Sequence, residues 1–409
     1  MPAAFFFRLA SAKNRGYSFF TGNQGIRESG NGKTAEGFIL MKDARQYMKG
    51  TGNNFLLAVL LLTLAGLTGC GGPVKQVDTG PVFFPPPPND PRVQFLKGIS
   101  DSMDVEDKKQ SFSLIIVGQE ERETVKKIAK PYGVATHNGK IYVADTAAAN
   151  VIIMDLALKT FEYLKGNYST GKLKKPINID VDEEGRMYVT DTVRKEVLVY
   201  DAAGNYRHAY GRDLDWKPID VDVIGGRIYV TDFKNHEVKV LDAATGELLT
   251  GFGSTGAEDK LDHLSMPMGL SVNERGYVRV VNMSGGRVVT LDLDGHVIDS
   301  FGKMGDGFGQ FGRPKGVAVD DKDRIYVVDA AHQNVQVFRD DGRLLIFFGD
   351  PGLPRGSTNM PAAVAVSRDN LEYYQSLAEP GFILEEVVIV TSQFGDDKIQ
   401  IYGLGEMKK

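Results

Sequence analysis

The chain has 409 residues, 48 Lys and Arg against 53 Asp and Glu, a net charge of −5, and one cysteine. This acidic balance disfavours binding nucleic acid or an anionic lipid surface through bulk charge. A single cysteine excludes an internal disulfide, so packing must hold the fold.

Residues 1–40 show no helix or strand period and carry Gly, Asn and Ser throughout. They are expected to be disordered or foreign to the native protein, because Met41 and Met48 stand at workable distances from the segment that follows. Residues 41–69 have the three-part layout of an export signal: Lys42, Arg45 and Lys49, then an apolar stretch from Phe55 to Leu67, then small residues. Thirteen apolar residues are too few for a hydrocarbon layer that needs about twenty. A short buried helix with an incidental cysteine is the alternative. The end, Leu67-Thr68-Gly69-Cys70, resembles a bacterial lipobox. That resemblance implies cleavage before Cys70, a diacylglyceryl group on its thiol, and a chain exported and lipid-anchored in the cell envelope. Gly71 in place of aspartate implies the outer membrane if the cell is Gram-negative. Loss of residues 1–69 leaves a net charge of about −10.

Residues 70–92 include four consecutive prolines, Pro85 to Pro88, which fix extended backbone and remove amide donors. They read as a semi-rigid stalk, with a proline-motif ligand as the other reading.

Repetition organises residues 93–409. Six segments begin with proline and an apolar strand, at Pro131, Pro176, Pro218, Pro267, Pro314 and Pro361, spaced 45, 42, 49, 47 and 47 residues apart. Each leads to a second strand such as "IYVADT" or "MYVTDT" and a third such as "EVLVYD", with Gly-ended turns before a fourth. The last repeat stops after "IQIYG", while an unpaired strand, "SLIIVG" ending at Gly118, precedes the first proline strand. This offset predicts an all-β, six-bladed propeller of four-stranded antiparallel blades, closed by an N-terminal strand at Ser113–Gly118 that completes the last blade beside Ile399–Tyr402.

The segment "FGQFGRPKGVAVDDKDRIY" from Phe308, continued by "VVDAAHQNVQVF", resembles the NHL repeat over its whole length, and Asn235-His236 is a step of the kind that gives that family its name. Asn282 and Ser392 depart from the aspartate usual at the end of the second strand, and the sixth repeat carries an insertion from Arg368 to Glu386. With the lipobox, the resemblance implies an exported bacterial NHL-propeller lipoprotein.

Asp145, Asp191, Asp232 and Asp329 recur once per repeat, which suits a turn device that accepts amide hydrogen bonds. The six histidines fall at different points of different repeats, with no spacing that converges on a metal. Breaks in the pattern are more informative. Where other repeats place Gly or Ala in the first strand, repeats two and three carry Asn178 and Asp220; two residues on, they carry Asp180 and Asp222. Alternation puts these on one face, near the channel. No cofactor is required by the pattern, but this oxygen-rich set suits Ca2+ or another divalent cation; the competing reading is a hydrated wall whose aspartates cap amides. Arg194, Lys195, Lys234, His236, Arg287 and His332 fall on one loop face and form the candidate partner-binding surface. The reading is therefore a monomeric, lipid-anchored extracytoplasmic propeller that binds or scaffolds another envelope protein, without nucleic acid. The alternative is a metal-dependent propeller enzyme, a lyase or lactone hydrolase, with its site in the channel.

Overall fold

A computed structural model of the protein describes residues 80–107, 125–253 and 263–408. Six antiparallel sheets follow one another along the chain, five of four strands and one of five. Their inner strands are Pro131–His137, Pro176–Val181, Pro218–Ile224, Pro267–Val272, Pro314–Val319 and Pro361–Ser367, which define blades 1 to 6. Each inner strand contacts the next, and the sixth contacts the first, so the ring closes around an axis. The six-bladed all-β propeller expected from the repeats is the fold.

Strands buried on both faces are rich in Val, Ile and Tyr because each sheet packs against two neighbours. Between blades 2 and 3, Tyr188, Val197, Val199 and Trp216 meet Ile228, Val230 and Leu241. Between blades 6 and 1, Val387, Ile389 and Ile401 meet Ile141, Ile152 and Phe161. Burying one such aliphatic or aromatic side chain contributes about 1.5–3 kcal/mol, and a lone blade, a single sheet, would leave both of its faces uncovered.

The closing strand is not the one expected. The outer strand of blade 6 is Val93–Ile99, which pairs with the strand Ile399–Met407 through Phe95↔Tyr402 and Ile99↔Ile399. Ser113–Gly118 lies outside the described residues, and its place beside Ile399 is taken. The two segments look alike in sequence because both are short apolar runs; in the strand that closes the ring, Val93, Phe95 and Ile99 are all buried. A further strand, Val82–Phe84, adds to the same blade as an edge, so this part of the proline-rich segment packs on the propeller where a free stalk was expected. Its edge position accords with the prolines that follow, which cannot donate to a ladder. Cys70 and residues 1–79 lie outside the described residues.

The insertion in blade 6 folds back on the ring. It holds one short helix, α1 (Leu371–Gln375), and a lengthened second strand, Phe382–Ser392. Tyr374 and Phe382 are buried, and the Gln375 side chain bonds the backbone of both Phe382 and Leu384 at 2.7 and 2.8 Å.

Candidate functional site

The aspartates that end the second strands tie two loops together. Asp191 accepts from the amides of Lys174 and Lys175 at 2.6 and 2.9 Å and of Val193 and Arg194 at 3.0 and 2.9 Å. Asp145 and Asp329 do the same in their blades. Asn282 retains one such bond, to the Ser265 amide at 2.9 Å. This column is the expected turn device.

The four channel residues come together as a brace between blades. The inner strands approach so closely here that a Cβ on Gly269 would lie 2.5 Å from the Lys315 carbonyl oxygen, and one on Gly316 would lie 2.8 Å from the Ala363 Cα. Asn178 and Asp220 fit such a gap by bonding across it. The Asn178 amide donates to Asp220. Asp220 in turn accepts from the Leu270 amide of blade 4 at 2.8 Å. One turn of the pleat further, Asp180 accepts from the Val223 amide and Asp222 from the Val272 amide, both at 2.8 Å. Each carboxylate thus bonds the inner strand of the following blade. Burial pushes Asp220 up to about 7 and Asp180 up to about 6, against the amide bonds that favour their charge. Burial also raises Asp222 well above the usual range, helped by the charge of Asp180.

As a cation site the set offers hard oxygens, but an oxygen of each carboxylate is already committed to an amide. Among the described residues, the set of three or more acidic, His or Cys side chains whose ligand atoms lie within 4.8 Å of one another is Asp292, Asp294 and His296. Those three form a hairpin turn in which Asp292 accepts from the Asp294 and His296 amides at 2.9 and 2.8 Å, so the turn explains the cluster.

The loop-face cations divide into two groups. Arg194 is only 11% exposed and is held by Glu196 at 2.6 Å and by the carbonyls of Thr170 and Lys172. His332 sits between Asp329 and Asp306, at 3.2 and 3.4 Å. Lys195 and Lys234 are about half exposed and flank Asp215. Lys195 and His236 occupy the same left-handed turn position, with φ of 56° and 60°. Arg287 begins the third strand of blade 4, partly buried. The His236 ring lies 6.4 Å from that of His263.

A further group lies where these loops meet the axis. The second residue of each inner strand runs Tyr132, Ile177, Ile219, Met268, Lys315, Ala362. Ile177, Ile219 and Met268 share one apolar cluster, against which Tyr132, Phe233 and Met283 also pack. Lys315, from blade 5, places its ammonium 5.3 Å from the centroid of the Tyr132 ring of blade 1. Threonines hold this tier: Thr190 donates to the Ile219 carbonyl and Thr231 to the Met268 carbonyl at 2.8 Å, and Thr391 to the Tyr132 carbonyl at 2.5 Å. Sequence reasoning compared the neighbouring columns and missed this one; its signal was a lysine in an otherwise uncharged column.

Comparison with known proteins agrees with this architecture. Residues 216–241 and 311–338 match the NHL repeat, so the chain carries NHL repeats in a six-bladed propeller. No curated protein matches the sequence. Among solved structures, a Bacteroides thetaiotaomicron protein of unknown function is similar at 15% identity, with 76% of this chain and 75% of that one covered and a TM-score of 0.50. A Xanthomonas campestris gluconolactonase is similar at 17% identity, covering 68% and 86%, with a TM-score of 0.49. Virginiamycin B lyase from Staphylococcus aureus is similar at 13%, covering 68% and 85%, with a TM-score of 0.46. The likeness to the Bacteroides protein is one of fold.

Proposed function

We propose that this protein is a lipid-anchored, extracytoplasmic NHL-type propeller that binds another envelope protein through its loop face. The observation that carries the reading is what that face exposes. Tyr168, Val193, Met304, Phe308 and Phe394 all lie on loops entering first strands or joining second to third strands, and all are strongly exposed, Phe308 at 83%. Aromatic and Met side chains amid charge are the composition that protein interfaces favour. The channel carboxylates, by contrast, serve the inter-blade brace, which favours binding over channel chemistry. The Leu67-Thr68-Gly69-Cys70 sequence supports the lipid anchor and the export that goes with it.

Two substitutions test the reading. Phe308→Ser with Phe394→Ser removes two exposed rings, one stacked on Phe347 and one beneath the Lys130 ammonium, so melting should move by the equivalent of about 1–2 kcal/mol and leave the fold intact. Co-purification of the envelope partner should be lost. Retention of the partner at wild-type level refutes the assignment of the face. Separately, Cys70→Ser should abolish labelling by a fatty-acid probe; labelling that persists removes the anchor from the reading.

A further inference from the structure

Lys315 is 8% exposed, and among the described residues no carboxylate forms an ion pair with its ammonium. A buried lysine without a counter-ion is rare, because the charge loses its hydration with nothing in return. Burial, together with the nearby cations Arg313 and Lys130, lowers its pKa to about 8. Arg313 and Lys130 are the residues just before the inner-strand prolines of blades 5 and 1. Neither forms an ion pair among the described residues; Lys130 instead rests 5.1 Å over the Phe394 ring. The acids on this side are already bonded: Asp220, whose charge reaches Tyr132, to Asn178 and the Leu270 amide, and Asp145 and Asp329 to loop amides that include those of Lys130 and Arg313.

The mouth of the channel is therefore divided. Blade 5 supplies Lys315 over the Tyr132 ring of blade 1, with Arg313 and Lys130 close enough to Lys315 to act on its charge, while blades 2 to 4 supply Ile177, Ile219 and Met268 beside Phe233. Gln393, in the blade 6 column that corresponds to Phe233 and Met283, adds a buried side-chain amide Nε2 with no hydrogen-bond partner. Among the described residues, Lys315 and the Gln393 amide have no carboxylate or carbonyl partner on one side, where Arg313 faces solvent, and the other side is apolar.

We propose that this mouth binds a small carboxylate carried on an apolar body. The carboxylate accepts from Lys315, Arg313 and Lys130, and the apolar body lies on Ile177, Ile219 and Met268. The charge desolvation that Lys315 suffers alone is then repaid by a charge-assisted bond in a site of low polarity. This holds whether or not the outer loops also bind a protein, so it does not rest on the preceding reading.

The test uses the full chain in detergent with three probes: phenylacetate, its neutral analogue phenylacetamide, and inorganic phosphate. Melting temperature and acylation of Lys315 by an amine-reactive reagent, followed by peptide mass spectrometry, are the two readouts. Phenylacetate should raise the melting temperature and protect Lys315, while phenylacetamide does neither. Lys315→Met, which matches the Met268 side of the ring, should retain the fold and lose the phenylacetate response. Arg313→Gln, at an exposed position, should weaken binding roughly tenfold or more, the worth of one hydrogen bond to a charged group, and serves alone if Lys315→Met fails to fold. Equal responses to phenylacetate and phenylacetamide, a phosphate response matching phenylacetate, or an unchanged response in Arg313→Gln would each overturn the proposal.

Discussion

Asp220 should make the propeller less stable as pH rises, the reverse of the usual surface carboxylate. Its oxygens bond Asn178, the Val221 amide and the Leu270 amide, yet burial raises its pKa from 3.8 to about 7. A raised acid pKa means that the folded state holds the proton more tightly than the unfolded chain. The resulting stability is fully present below about pH 4 and is lost as pH climbs through about 7. At about 1.4 kcal/mol per pKa unit, the loss by pH 8 is on the order of 4 kcal/mol, lessened where Asp180 and Asp222 share the titration. Other carboxylates titrate in the same window, so the informative quantity is the difference between the wild type and Asp220→Asn, measured by urea unfolding from pH 5 to 8. Asparagine places an NH2 against one of the donors, which lowers stability by a roughly constant amount. The wild-type advantage should shrink from pH 5 to about 7 and level off above it. A difference that is flat with pH would refute the argument that burial outweighs the amide bonds at this site.

Thr231→Val keeps the side-chain shape but leaves the Met268 carbonyl without its donor, and should lower the urea midpoint by an amount equivalent to about 1–3 kcal/mol. Trp216→Ala removes a fully buried ring whose Nε1 donates to the Lys195 carbonyl at 2.8 Å, and should cost about 3–5 kcal/mol by thermal or chemical unfolding. Deleting the chain through residue 92 should leave a cooperative melt, whereas deleting through residue 100 removes the closing strand and should give aggregation visible by light scattering; equal melting of both would refute closure by Val93–Ile99.

The six blades were legible in sequence because each repeats the same physical device: a proline that starts an inner strand, a small residue where strands converge, and an acid that ties two loops. Column reading also found Asn178, Asp180, Asp220 and Asp222, since polar residues replace Gly and Ala there. Their roles as inter-blade acceptors required the neighbouring amides, which lie 43 and 50 residues away in the chain. The closing strand was misplaced because pairing at the ring seam links the two chain ends, and a short apolar strand carries no mark of its partner. Arg194 and His332 look alike from sequence to Lys195 and Lys234, but only the structure separates side chains held by Glu196 and Asp329 from those at the surface.

Recognition through the loop face is tested most directly by photo-crosslinking in intact cells, with the reactive side chain placed at Lys234 on that face or at Ala203 in the hairpin turn on the opposite face. The account predicts a discrete protein adduct from position 234 and none from position 203. Adducts from 203 alone, or none from 234, would contradict it.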